Sequence, residues 1–492
     1  MIRLALFFFL LFSISLHAQE PSPGMSCGTT DGKVPWLVAY QANPVSFPRS
    51  SDTLYIPVTI HLVGTNVGGG YFGIASLLDA FCTLNRDFEE SGIQFYLEGE
   101  ISYIPNNTYY NHDFDTGSEM MTIYNVPNTI NCYISNSPGE NLCGYSAYNL
   151  GVALAKSCIG PNDHTWAHEM GHYLSLPHPF YGWEGYNHDY SKPAPEQING
   201  NLVERVDGVN CDIAGDGFCD TPADYLNYRW NCNAQGQSTV TQTDPLGEKL
   251  KSDGSLIMSY SSDVCSYRFS EEQIAAMQAN ALTDKAEFLY DQTPRYPVAY
   301  GPVNPVFPAE GDTIDIFKQI PFVWEPMPEA THYMVEYTID SNFNNAIFQF
   351  NTEGNSWISG NLIKNKTYYW RLRPYNRQYT CDAYSDIHKF TTGDQLFSSV
   401  QPTIAGLNQV EIFPNPIRSG QALSVAISSE RTMDLQIDVM TMGGQPLVTG
   451  NWTVQAGTTT LDQPVPSLAS GVYLLRMRTG SGVLIRRFAV SN

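Results

Sequence analysis

The sequence predicts a mixed α/β domain followed by two all-β sandwich domains. Three observations carry this expectation. From Leu54 to His178, strand-like and helix-like runs alternate, the pattern of a sheet backed by helices. A proline cluster from Pro294 to Pro308 reads as a linker, and helical periodicity does not return after it. Beyond it, short strand-like runs separated by turn residues fill 300–393 and then 408–492.

At 492 residues the chain is too long for one compact core and suggests about three domains. The formal net charge of −23 argues against nucleic-acid binding, which needs a basic face. Residues 1–18 read as a secretory signal: Arg3 supplies the positive start, Leu4 to Leu16 the apolar run, and Ala18 the small residue before a cut. That run is too short to span a bilayer comfortably, and no later stretch looks transmembrane. Ten cysteines in an exported chain point to disulfides.

Residues 19–51 are Pro-, Ser- and Gly-rich without a clear period and read as a pro-segment or N-terminal arm. Cys27 within it has two readings: a thiolate that occupies a metal position and keeps the protein latent, or an ordinary disulfide partner. The α/β unit then spans 52–290. Leu54, Ile56, Val58, Ile60 and Leu62 alternate as a strand. Ile74, Leu77, Leu78, Phe81, Leu84 and Phe88 recur at helical spacing. Further strands are expected around Ile93–Leu97, Thr129–Ile134 and Leu150–Lys156. Cys132 and Cys143 flank a Ser-Pro-Gly turn and are candidates for a local bridge.

His168 to His178 reads His-Glu-Met-Gly-His-Tyr-Leu-Ser-Leu-Pro-His. Residues four apart share a helix face, so His168 and His172 can offer their imidazoles to one ion. Glu169 can reach a water at that ion without being a ligand. Pro177 cannot continue a helix, so the chain should turn back and bring His178 to the same place. Three neutral imidazoles with one open position describe a catalytic zinc site. His164, four residues before His168, is a possible competitor, but its plainer reading is a polar residue near the helix start.

Between His178 and about Ser252 regular structure is sparse, and Asp207, Asp212, Asp216, Asp220 and Asp224 accompany Cys211, Cys219 and Cys232. Disulfides and a calcium ion are economical ways to order such a region, the alternative being acids that cap turns in solvent. Leu256–Tyr260 is a short apolar stretch whose Met258 suits the floor of a metal site, although a methionine there is more often core. Ser270 and Gln273 form a capping box that starts a last helix.

These motifs together resemble the metzincin metalloproteases, most closely the pappalysin (cytophagalysin-like) family. The carriers are Ile56-Pro57-Val58-Thr59-Ile60-His61, Leu84-Asn85-Arg86-Asp87-Phe88, His168-Glu169-Met170-Gly171-His172, Cys219-Asp220-Thr221-Pro222 and Met258-Ser259-Tyr260, within residues 27–285. The resemblance implies an α/β zincin (metzincin-like) catalytic domain with a mixed sheet and an active-site helix. It further implies His168, His172 and His178 as zinc ligands, Glu169 as general base, Met258 as the methionine-turn residue and Tyr260 as an oxyanion partner. The family's calcium region falls on Asp220 and Thr221, and its latent states on Cys27. One departure stands out: Ser175 replaces the usual glycine at a turn that favours positive φ, at a cost of roughly 1 kcal/mol.

Residues 300–393 resemble a fibronectin type III domain through Trp324 and Tyr368-Tyr369-Trp370-Arg371. Residues 408–492 resemble the C-terminal sorting domain of the type IX secretion system. The carriers there are Phe413-Pro414-Asn415-Pro416, Gly443-Gly444, Leu468-Ala469-Ser470-Gly471-Val472-Tyr473 and Arg487-Phe488-Ala489-Val490. That resemblance implies the type IX machinery as a partner, and release or attachment at the cell surface. The leading expectation is a secreted zinc endopeptidase acting on proteins or peptides. The competing one is a surface adhesin or glycan-binding protein that uses exposed aromatics of the 300–393 sandwich, with the zinc unit as scaffold.

Overall fold

The computed structural model of the chain describes residues 27–491, apart from 30–31, 140–141, 295, 299–300, 346, 396–403, 416, 419, 442–445, 469–470 and 480–481. The signal reading of 1–18, the first part of the arm, and Pro416, Gly443, Gly444, Ala469 and Ser470 of the tail motifs lie outside the described residues.

The helices are α1 (Pro35–Ala42), α2 (Ile74–Asp87), α3 (Asn107–Tyr110), α4 (Phe114–Tyr124), α5 (Thr165–Tyr173) and α6 (Glu271–Leu282). The first strands are β1 (Leu54–Gly64), β2 (Ile93–Leu97), β3 (Ser102–Pro105), β4 (Asn111–His112), β5 (Ile130–Ser135), β6 (Ser137–Pro138), β7 (Gly144–Ala147) and β8 (Gly151–Ala155). The main sheet runs β2-β1-β5-β8-β7, with β3 also on β1. All its pairs are parallel except β7–β8, so the sheet is mixed and β7 is its antiparallel edge.

The alternating run forms β1 as expected. Nearly every residue of β1 is buried, because it lies inside a sheet covered on both sides. The polar residues of the second face pair with one another: Thr59 Oγ1 donates to Thr129 Oγ1 at 3.2 Å, and His61 Nε2 lies 2.9 Å from Asn131 Oδ1. The α2 helix matches its predicted span and turns Leu77, Leu78, Phe81 and Leu84 into the core. The capping box of α6 forms as expected from Ser270 and Gln273.

The arm is more ordered than its composition suggests. Pro35 starts α1 at a position where its missing N–H costs nothing, and Leu37 and Tyr40 enter the main core. The expected Cys132–Cys143 bridge does not form. Cys143 bonds instead to Cys158, which lies across the β7–β8 hairpin, while Cys132 points into the core as a buried thiol. Strand alternation explains the miss: Cys132 sits mid-strand on the inner face of β5, out of reach of the turn. Cys211–Cys219 and Cys232–Cys265 tie the irregular region after His178, as its sparse regular structure required.

Residues 305–395 form a three-stranded and a five-stranded sheet packed on a shared core. Trp324, Tyr333 and Trp370 lie in that core and are buried, which leaves Phe348 as the exposed aromatic of the sandwich strands. A further disulfide, Cys82–Cys381, ties α2 to this sandwich. Residues 407–491 form a second pair of three- and five-stranded sheets. No helix among the described residues is long and apolar enough to cross a membrane.

Candidate active site

The α5 helix carries His168 and His172 one turn apart on one face, and it ends at Tyr173. The chain then reverses at Ser175, whose φ of 81° is the left-handed conformation that the missing glycine would favour. Leu176 N donates to Gly171 O at 2.9 Å, closing the turn, and His178 returns to the helix face. The three Nε2 atoms come together at 3.1–3.3 Å from one another.

Each imidazole is held from behind. His168 Nδ1 donates to Ile257 O at 2.8 Å, and His172 Nδ1 to Leu176 O at 2.7 Å. His178 Nδ1 meets Glu184 Oε1 at 3.1 Å, and the second oxygen of Glu184 accepts from Gly182 N at 2.7 Å. With every Nδ1 donating outward, three Nε2 lone pairs face one point. That is how ligating histidines are oriented by the groups behind them. A tetrahedral ion with metal–nitrogen bonds of about 2.0–2.1 Å requires nitrogens about 3.3 Å apart, so the donor set fits zinc. Burial lowers His168 to about 3 and His172 well below its usual range, which keeps both rings neutral as ligands must be.

Cys27 completes the cluster: its Sγ and one nitrogen of each histidine all lie within 4.8 Å of one another. Cys27 bonds to no other cysteine, so its disulfide alternative falls away. The arm reaches this point along the β7 edge through one isolated bridge, Cys27 to Gly144, with Gly28 N donating to Gly144 O at 2.9 Å. Glu169 is fully buried beside it. Its Oε2 accepts from Thr29 Oγ1 at 3.2 Å, whereas Oε1 has no hydrogen-bond partner. Burial pushes the Glu169 carboxyl up to about 8. A β-carbon at Gly144 would lie 2.9 Å from Glu169 Cγ, so glycine there lets the edge strand approach the acid.

Met258 lies beneath the helix. Its sulfur would stand 2.4 Å from a β-carbon at Gly171, so the glycine of the motif makes room for the methionine. Tyr260 lies over His178 with ring centroids 4.9 Å apart, and its hydroxyl donates to Cys27 O at 3.1 Å. His164 stays out of the cluster: it precedes α5, and its Nδ1 pairs with Asp87 Oδ2 at 2.8 Å.

The two residues expected at a calcium site, Asp220 and Thr221, make different contacts. Asp220 binds the start of α6, accepting from Ser270 Oγ at 2.7 Å and Glu272 N at 2.8 Å. Thr221 Oγ1 instead donates to Asp216 Oδ1 at 2.9 Å. Asp216 is fully buried, and nearby Glu204 has a buried Oε2 without a partner. Lys33 of the arm feels the charge of both acids.

Two supporting residues, Glu184 and Thr29, escaped the sequence reading, and a third, Asp224, was read only as one acid of the loop. Glu184, six residues past His178, orients the third imidazole. Asp224 accepts from Ser259 Oγ at 2.7 Å and anchors the Met258 loop. Thr29 joins the arm to Glu169. The only signal for Glu184 was an acid in a short turn after the motif, which carries no spacing rule.

Residues 411–491 match the family described as the secretion system C-terminal sorting domain, which makes this a secreted or cell-surface protein. An extracellular metalloprotease of Colletotrichum graminicola is 28% identical over 235 residues, covering 42% of this chain and 82% of that protein. Among solved structures, the FN1–FN3 domains of chicken CNTN1 are 11% identical with a TM-score of 0.17, covering 41% of this chain and 70% of that one. Dimeric latent PorU from Porphyromonas gingivalis is 12% identical with a TM-score of 0.15, covering 41% of this chain and 20% of that one. At those scores neither structural likeness bears on the fold. What the comparisons assign is a distant extracellular metalloprotease relative in sequence and a sorting tail at 411–491.

Proposed function

We propose that the protein is a secreted zinc-dependent endopeptidase of the metzincin type, close to the pappalysins, made in a latent form. The observation that carries this reading is the convergence of three outward-braced imidazoles on one point, with a buried carboxylate beside it. A metal-free structural role for the cluster is disfavoured by simple electrostatics, because three facing lone pairs repel unless a cation sits between them.

His168, His172 and His178 would hold the zinc, which when bound supplies Lewis-acid polarisation of a carbonyl and activation of water. Glu169 accepts the proton of the attacking water and passes it to the leaving amine, as a carboxylate beside the three imidazoles can. The Tyr260 hydroxyl, which now donates to the Cys27 carbonyl, would donate to the oxyanion once the arm has gone. Cys27 would ligate the zinc in the latent state, as a thiolate can. The arm occupies the β7 edge, where an extended peptide substrate could add as a strand. Removal of the arm by a cut near the exposed Arg49 would open the site.

The same reading includes a calcium ion in the loop around Asp220 and Thr221, where Asp216 adds a carboxylate that Thr221 contacts at 2.9 Å.

The decisive experiment is hydrolysis of a denatured protein by the arm-free form and its Glu169→Ala variant, with and without chelator. Loss of the base is expected to cost roughly 10²–10⁴-fold in rate. Chelator should abolish activity, and added zinc restore it. Equal hydrolysis by both forms would falsify the assignment.

A further inference from the structure

The seam between the α/β unit and the sandwich carries a second set of metal-ligating side chains, separate from the His168–His178 centre. The strand His332–Thr338 begins at this seam and the strand Phe348–Glu353 ends there. Their antiparallel register pairs His332 with Glu353 directly. Glu100, in the bend after β2, meets this pair from the α/β side. One nitrogen of His332 and one oxygen from each carboxylate lie within 4.8 Å of one another.

The imidazole is braced in the way a ligand is. Tyr375 stacks on its ring with centroids 5.3 Å apart, and Thr331 Oγ1 lies 2.8 Å from Nδ1. A proton donated from Nδ1 to that hydroxyl leaves the Nε2 lone pair facing Glu353, whose Oε1 is 3.5 Å away. An oxygen behind the far nitrogen is the usual support of a ligating histidine. Arg377 lines the same cleft, close enough for its charge to act on Glu100 and His332. Its Nε donates to Leu97 O at 2.7 Å and its Nη2 meets Glu98 at 2.7 Å.

We infer that Glu100, His332 and Glu353 form a divalent metal site that bridges the α/β unit and the sandwich. One imidazole with two carboxylates suits a borderline ion of the Zn²⁺ class. Calcium would seek six to eight oxygens, and this cleft does not offer them. With ligands from both units, the ion is a cross-link beside the Cys82–Cys381 bridge, and it does not depend on the peptidase reading.

The test counts metal in the full-length protein. Wild type, His332→Ala and Glu353→Gln are stripped with chelator and dialysed to equilibrium against low free Zn²⁺. Bound zinc per chain is then measured by mass spectrometry. The expected result is one zinc fewer in each variant than in the wild type. Equal zinc content in all three overturns the site. The difference between forms is what is read, so the result stands apart from whether the His168 centre binds zinc. Glu353→Gln keeps the side-chain shape at an exposed strand end and guards against a folding artefact. Thermal melting supplies the second readout. All three forms should melt together in chelator, with an extra zinc-dependent rise in the wild type alone; an equal rise in the variants counts against the site.

Discussion

Two segments are fastened to the α/β unit, and they are fastened in opposite ways. The N-terminal arm is held without a disulfide, by Leu37 and Tyr40 in the main core and, at its first described residues, by groups at the candidate active site. Cys27 faces the three histidines, its carbonyl accepts from Tyr260, and Thr29 donates to Glu169. The sandwich is held by groups that the proposed chemistry does not use. Cys82–Cys381 closes a separation of 299 residues, Arg373 Nη1 meets Asp79 at 2.7 Å, and Leu97 N donates to Arg377 O at 2.7 Å. Met334 and Tyr375 of the sandwich even join the main core. An attachment made through catalytic groups blocks the site and is lost when the arm is cut. One made through a disulfide, ion pairs and shared apolar burial stays in place.

The largest effect should come from breaking the arm at its metal-facing end. Cys27→Ala removes the sulfur and leaves the rest of the arm intact. Loss of about 3 kcal/mol of latching corresponds to roughly a hundredfold more open site, at 1.4 kcal/mol per decade. Peptide cleavage by the uncut precursor should rise by that order, read before any N-terminal processing. A precursor that stays silent would mean that the bridge to Gly144 and the buried Leu37 and Tyr40 hold the arm without the thiol.

Next in size is the sandwich. The double variant Cys82→Ser, Cys381→Ser should lose about 2–5 kcal/mol of stability, because the bridge closes a very long loop. Thermal unfolding of the oxidised wild type against the variant reads this directly. The latency of the precursor should not move, since none of the arm contacts involves these sulfurs. A latent form that leaks on loss of this bridge would show that the two attachments are coupled, which the separation of their contacts argues against.

How much of this was legible in the sequence follows from the range of the interactions. The three histidines, Glu169 and the turn at Ser175 lie within 11 consecutive residues, so spacing rules on a helix sufficed to bring them together. Ser175 does adopt the positive φ expected of the glycine it replaces. The α2 and α6 helices were legible for the same local reason, through periodicity and a capping box. The Cys82–Cys381 bridge was not, because nothing local marks two cysteines 299 residues apart as partners. Cys143 was assigned the wrong partner because proximity in sequence was taken for proximity in space, whereas a strand had turned Cys132 inward. Asp220 and Asp216 looked equivalent by composition. Only the fold shows one capping a helix and the other buried beside Glu204.

The smallest effect tests whether the arm is held by one contact or by several. Thr29 Oγ1 accepts from Ser146 N at 2.8 Å on the β7 edge and lies 3.2 Å from Glu169 Oε2. Thr29→Val keeps the β-branched shape and removes the oxygen. One lost hydrogen bond, with the Ser146 N–H left unmatched, should cost about 1 kcal/mol of arm binding. That predicts a roughly fivefold faster nick of the arm by trypsin at Arg49, and a basal activity raised by the same factor. The global melting temperature should shift little, since the arm opens locally before the core does. If Thr29→Val instead releases the arm as fully as Cys27→Ala, the threonine and the cysteine act as one cooperative unit, and the thiol is not the dominant latch.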